Sequence, residues 1–313
     1  MNKLKLTLLT ATAGLAAASQ PALAEGEQVI TVPGFADFLA VDGETVWTTN
    51  KGRVEVWSRS GKLGEVAMER PCGTMAISHG SLWVAECIGG TLNKVNIRTS
   101  ELIKSLPTGI ANRQGEMNVV AGAGSVWLAT DNAGVVSRID PETDEVIASV
   151  KVDPGTWYLA FGFGSVWAVS AEKQSLQRID PATNTVVGTT PLGTQPGFLA
   201  AGEGAVWVQE QGDGTLARVD PETGEVTERI KVGDNLKWGD VDTGGGKVWL
   251  RTTDDQVFVI IDAETNAIDA RLGKPAGSGA LRYTDTGVWT TAHDEHTLTW
   301  WPTSVLVAAD TEK

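Results

Sequence analysis

Basic residues are scarce in this chain of 313: 25 Lys and Arg stand against 39 Asp and Glu, a formal charge of -14. A nucleic-acid surface is thereby excluded, because neutralising phosphates needs a Lys/Arg excess or a basic stripe. Adhesion to anionic lipid is disfavoured for the same reason. Only two cysteines, three histidines and two tyrosines are present, so the choice of a histidine base is narrow. No segment beyond residue 24 is apolar enough to span a bilayer. No stretch sustains a helical period, and no nucleophile elbow, P-loop or dinucleotide fingerprint occurs in its strand–helix context. What the chain has is a 42% hydrophobic share, enough for a core, together with 36 Gly and 12 Trp. Trp is twice as numerous as Phe, and that excess needs a structural cause.

Residues 1–24 read as a secretory signal. Lys3 and Lys5 form a positive start, Leu6 to Ala18 a short apolar run, and Ala22-Leu23-Ala24 a small-residue cleavage site. The mature chain is expected to be exported by a bacterium, to the periplasm or beyond, and residues 25–313 to form one domain.

A period of about forty residues runs through the rest. The phrase Gly-x-(Val/Leu)-Trp ends at Trp83, Trp127, Trp167, Trp207 and Trp249, with looser copies at Trp47 and Trp289. A second phrase keeps step with it: Arg138-Ile-Asp-Pro-Glu-Thr143, Arg178-Ile-Asp-Pro-Ala-Thr183, Arg218-Val-Asp-Pro-Glu-Thr223 and Ile261-Asp-Ala-Glu-Thr265. Each unit reads as four short strands separated by Gly, Asp and Pro turns. In one unit these are Phe198–Ala201, Ala205–Gln209, Thr215–Val219 and Val226–Val232. Asp followed by Pro suits the first two positions of a type I turn. Seven such units predict an all-β, seven-bladed propeller of four-stranded antiparallel blades. The repeated Trp is expected to fill the gap between blades. Blade seven lacks a fourth strand of its own, and Gln28-Val-Ile-Thr-Val32 resembles one, so the N-terminal strand should complete it and remove an exposed edge.

Cys72 and Cys87 lie symmetrically about the first hairpin turn of blade two, at His79-Gly80. Facing each other across adjacent antiparallel strands, they are within reach of a disulfide. Export to an oxidising compartment agrees.

Ligands of propellers sit at one mouth of the central channel, where four-to-one and two-to-three strand loops gather. The four-to-one loops carry Arg113 and Glu116 in the longest insertion, then Trp157 and Tyr158, Lys237 and Trp238, and Arg282 and Tyr283. Aromatic rings beside Arg and Lys suggest a pocket for an anionic or planar ligand. Three residues after the repeated Trp stand Asn50, Glu86, Thr130, Ser170, Glu210, Thr252 and Ala292, a ring near the same mouth. Glu86 and Glu210 are its carboxylates, candidates to hold a divalent cation such as Mg2+ or Ca2+. His293, in the two-to-three loop of blade seven, is the candidate general acid or base. His79 falls on the opposite face.

The repeated unit at 124–146 and 164–186 resembles exported propellers of the YVTN/YncE type. It is also similar to the streptogramin (virginiamycin B) lyase-like propellers, with Trp83-Val-Ala-Glu86 and Trp207-Val-Gln-Glu210 matching their Trp-plus-acid pattern. The resemblance implies the seven-bladed fold and, for the lyases, a Mg2+ site with Glu and His at the mouth. Glu86, Glu210 and His293 are what this chain offers; the Ile-Gly-Arg-Ile phrase of lyase repeats is absent. Two functions follow. One is a monomeric binding scaffold for a small molecule or a periplasmic protein, without nucleic acid and without a membrane span. The other is a metal-assisted lyase or hydrolase.

Overall fold

The computed structural model describes residues 27–108, 116–130, 134–237, 239–252, 258–272 and 278–303. The expected signal segment, Arg113 and Trp238 lie outside the described residues. Those residues form seven four-stranded antiparallel sheets. Blade five consists of Pro196–Gly202, Ala205–Glu210, Thr215–Val219 and Val226–Lys231, within two residues of the strands read from sequence. Blade seven is Leu281–Thr284, Gly287–Ala292 and Thr297–Pro302, completed by Gln28–Thr31 from the other end of the chain. Thr31 pairs with Thr297 and Gln28 with Trp300, which closes the ring. The first strand of each blade touches the first strands of both neighbouring blades, so these seven strands wall a central channel.

Burial grades outward from that channel. Second strands such as Ser81–Glu86 and Ser165–Ser170 are buried along their whole length, because a neighbouring blade covers each face; hence their continuous apolar runs. Fourth strands such as Glu101–Pro107 are mostly exposed.

The repeat phrases make the joints. All seven repeated Trp are buried, and each packs into the blade that follows. Trp167 of blade four, for example, lies against Leu199, Val206, Val208 and Val219 of blade five. The indole N–H of Trp127, Trp167, Trp207 and Trp249 donates at 3.0–3.1 Å to the carbonyl of a glycine five residues earlier. That position is glycine for space: a Cβ at Gly122 would overlap the ring of Phe161 in the next blade. Arg138 and Arg178 lie over Trp127 and Trp167, 4.9 and 5.6 Å from the ring centroids. Their guanidinium groups donate onward to the carbonyls of Pro181 and Pro221 in the next blade, at 2.6 and 3.0 Å. Trp, Arg and the Asp-Pro turn are thus one latch at these two joints, and Lys94, over Trp83 and donating to the Pro141 carbonyl at 2.8 Å, repeats it between blades two and three.

Candidate functional site

The residue nine positions before each repeated Trp lies at or near the start of the first strand of its blade and lines the channel: Phe38, Thr74, Asn118, Tyr158, Phe198, Asp240 and Ala280. Three are aromatic. Phe38 of blade one reaches across to Phe198 of blade five, with centroids 6.2 Å apart, and Tyr158 packs on Phe198 at 4.2 Å. Together these rings stopper the channel. Above them opens a cup of about 930 Å³; below, a hollow of about 340 Å³ continues along the first strands.

The cup wall comes from four-to-one loops, which supply Phe35, Asp37, Arg70 and Glu116, from two-to-three loops, which supply Ile88, His293 and Asp294, and from Asn50 at the end of a second strand. Its carboxylates are unusual. No hydrogen-bond donor among the described residues reaches the side chain of Asp37. Burial pushes its pKa up to about 8, reinforced by Glu116, Asp240 and Asp294 and opposed by Arg251. Burial likewise lifts Glu116 to about 7, against a hydrogen bond from Tyr158 (3.3 Å) and the charge of Arg70. Burial, then the charge of Glu116, holds the Tyr158 phenol well above its ordinary range. Beneath them Asp240 pairs with Arg282 at 2.5 Å, and burial pulls Arg251 down to about 10. His293 stacks on Phe35 with centroids 4.0 Å apart and meets Asp294 at 3.0 Å. Burial lowers its pKa more than Asp294 raises it, so the ring is neutral at pH 7.

Of the residues singled out from sequence, Glu116, Tyr158 and His293 line the cup. Arg282 faces the lower hollow, where Asp240 and Asp242 raise its pKa despite burial. Tyr283 instead packs on Trp249 at 5.5 Å, in the joint between blades six and seven. Trp157 is half-buried at a bulge in the first strand of blade four, and Lys237 is exposed; neither lines the cup. Cys72 and Cys87 are joined in a disulfide, Cα atoms 6.0 Å apart, that ties the Glu69–Gly73 wall of the cup to the end of a second strand. Sequence reasoning passed over Asp37, Phe35, Phe38, Phe198, Asp240 and Arg251. Counting nine residues back from each Trp would have found three of them.

Glu86 and Glu210 belong to blades two and five and are absent from the cup lining. Each caps a loop. Glu86 accepts from the backbone N–H groups of Arg70, Ile88 and Gly89. Glu210, fully buried, accepts from Gly193 N–H, Thr215 hydroxyl and Arg229 guanidinium. Asn50 does the same work in blade one, accepting from Phe35 and Lys51. Among the described residues no three His, Cys, Asp or Glu side chains gather as a metal centre requires, so this donor set does not fit a shared Mg2+ or Ca2+. Glu210→Ala is expected to cost about 1.5–3 kcal/mol, the worth of a hydrogen bond to a charged group. Urea denaturation measures it, with chelator leaving the wild-type midpoint unchanged.

A second expectation concerns pH. The folded pKa of Asp37, about 8, lies above the ordinary value of 3.8. Between about pH 4 and 8 the native state therefore holds a proton that the unfolded chain releases. Stability falls as pH rises through that window and the penalty is complete above it. Asp37→Asn should remove the Asp37 share of this fall, leaving the part below about pH 7 that Glu116 contributes, and melt above wild type at alkaline pH, by about 2–4 °C or more. Melting curves of both proteins across the window decide it.

Fold and site define a class: a seven-bladed propeller whose channel is stoppered by aromatic rings and opens as an acidic cup. Solved structures share the fold. Virginiamycin B lyase from Staphylococcus aureus superposes with TM-score 0.74 at 15% identity, covering 88% of this chain and 98% of that one. A streptogramin B lyase gives 0.74 at 16%, covering 88% and 95%. Kuenenia stuttgartiensis hydrazine synthase gives 0.73 at 14%, covering 88% and 97%. No family model and no curated protein sequence matches the chain. At these identities the likeness is one of fold.

Proposed function

We propose that the protein is an exported propeller that binds a small molecule in the cup at its channel mouth. The observation that carries this reading is the aromatic stopper of Phe38, Tyr158 and Phe198, which turns an open channel into a closed-bottomed site of ligand size. Export is compatible with the disulfide and with the absence, among the described residues, of a helix long and apolar enough to cross a membrane. The test is a thermal-shift screen of small molecules on wild type and on Ile88→Trp, which would put a larger side chain into the cup. Compounds that stabilise wild type should lose their effect on the variant. Equal shifts in both proteins would locate binding elsewhere and defeat the reading.

A second reading, a lyase, has one observation in its favour. His293 is neutral, anchored by Phe35 and Asp294, and faces the cup, as a proton acceptor must. Virginiamycin B, from the name of the similar enzyme, is the first substrate to try. Turnover that survives in His293→Ala would reject His293 as the base.

A further inference from the structure

Among the described residues, carboxyl groups outnumber cations in the cup: Asp37, Glu69, Glu116, Asp240 and Asp294 line it, against Lys51 and Arg70. Two further cations nearby among the described residues are already engaged. Arg282 is paired with Asp240, and Arg251 donates to the carbonyls of Thr252 and Thr291. An anionic ligand, suggested by Arg and Lys in the sequence, would oppose the ionisation of Asp37 and Glu116, whereas a cation favours it. We infer that the cup takes an organic cation, whose ammonium or guanidinium N–H groups donate to Asp37 and Glu116 while its apolar body rests on Phe38, Tyr158 and Phe198. The inference rests on the cup being a binding site, and names the class of ligand.

Two independent features point the same way. Asp37 is a half-buried carboxyl on the cup wall with no donor of its own among the described residues, a group that a ligand N–H would engage. The stopper below it presents aromatic rings, whose faces attract cations. A divalent metal would need several converging oxygen ligands, and no such trio forms among the described residues. A quaternary ammonium would satisfy the rings and leave Asp37 without a donor. The net charge of -14 favours the approach of a cation over an anion.

Binding should be coupled to protons. Asp37 faces Glu116, Asp240, Asp294 and Arg251; Glu116 faces Asp240, Arg70 and the Tyr158 hydroxyl. Both carboxyls hold protons near neutrality, and a cation favours their ionised forms. Affinity therefore rises with pH until the amine itself deprotonates, near 10.

The experiment is isothermal titration of the full-length protein with 2-phenylethylamine, 2-phenylethanol, 3-phenylpropionate and calcium chloride, at about pH 6 and about pH 8.5. The amine should bind in preference to the alcohol and the acid, about tenfold tighter at the higher pH, with proton release at the lower. Asp37→Asn should weaken it about tenfold or more and flatten the pH dependence. That variant is expected to be more stable than wild type at alkaline pH, so lost affinity would not reflect unfolding; Glu116→Gln provides a second variant. Preference for the propionate or the alcohol would overturn the cationic class and leave the cup as a binding site. Calcium displacing the amine would overturn it in favour of a metal. No binding by any of the four overturns this inference, while the Ile88→Trp screen separately judges the cup.

Discussion

Trp167→Ala is expected to destabilise the protein by about 3–5 kcal/mol, the range for deleting a fully buried Trp, and to lower its melting temperature by about 10 °C. Three losses coincide there. The ring fills the joint with Leu199, Val206 and Val208 of blade five. Its N–H satisfies the Gly162 carbonyl at 3.1 Å, and its face carries Arg178, which holds the Pro221 carbonyl of that next blade. The same joint sits beside the Tyr158–Phe198 contact of the stopper, so ligand affinity should fall as well. Trp157→Ala, at a half-buried bulge, should cost far less. Equal losses in the two variants, by urea denaturation, would refute the latch.

Removing the disulfide should cost about 3 kcal/mol, from the loop entropy of a short crosslinked segment; the cysteines are 15 residues apart. Its effect is also local. The Glu69–Gly73 loop it anchors is part of the cup wall, held besides by Cys72 N–H to Ala85 carbonyl and Cys87 N–H to Arg70 carbonyl. The Cys72→Ala/Cys87→Ala protein should therefore fold, unfold at lower urea, and bind ligands more weakly than wild type. Wild type treated with reductant should match it. A midpoint unchanged by either treatment would remove the disulfide from the stability of this loop.

The ring was legible because its joints repeat. Each blade interface is filled by a large flat ring that recurs about every forty residues, joined in four blades by a glycine that accepts its N–H and in two by an Arg held in the next blade's turn. The closing strand was legible because Val29 and Ile30 continue the fourth-strand pattern that blade seven lacks. The mouth was legible as a location, since strand order alone decides which loops gather there. Its chemistry was not. Asp37 is an ordinary loop acid in the sequence; its character comes first from burial at the mouth, then from Glu116 and Asp240, each two blades away around the ring, a proximity only ring closure creates. Arg282 looks like a ligand-binding cation until Asp240 is found beside it. Glu86 and Glu210 share an offset from their Trp that suggested a shared cation, yet that offset is where each blade needs an acceptor for loop N–H groups, as Asn50 shows with an amide. Symmetry in a repeat marks structural need first, and the functional residues are those that break it: Phe38, Tyr158, Phe198 and Asp240 occupy one repeat position with aromatic and acidic side chains where blade seven has Ala280.

The most direct measurement is a crystal structure of the protein soaked with 2-phenylethylamine. The expected result is the phenyl ring on the Phe38–Tyr158–Phe198 stopper and the nitrogen within hydrogen-bond distance of Asp37. Density at the opposite mouth or on the outer strands, with the cup filled only by water, would contradict it.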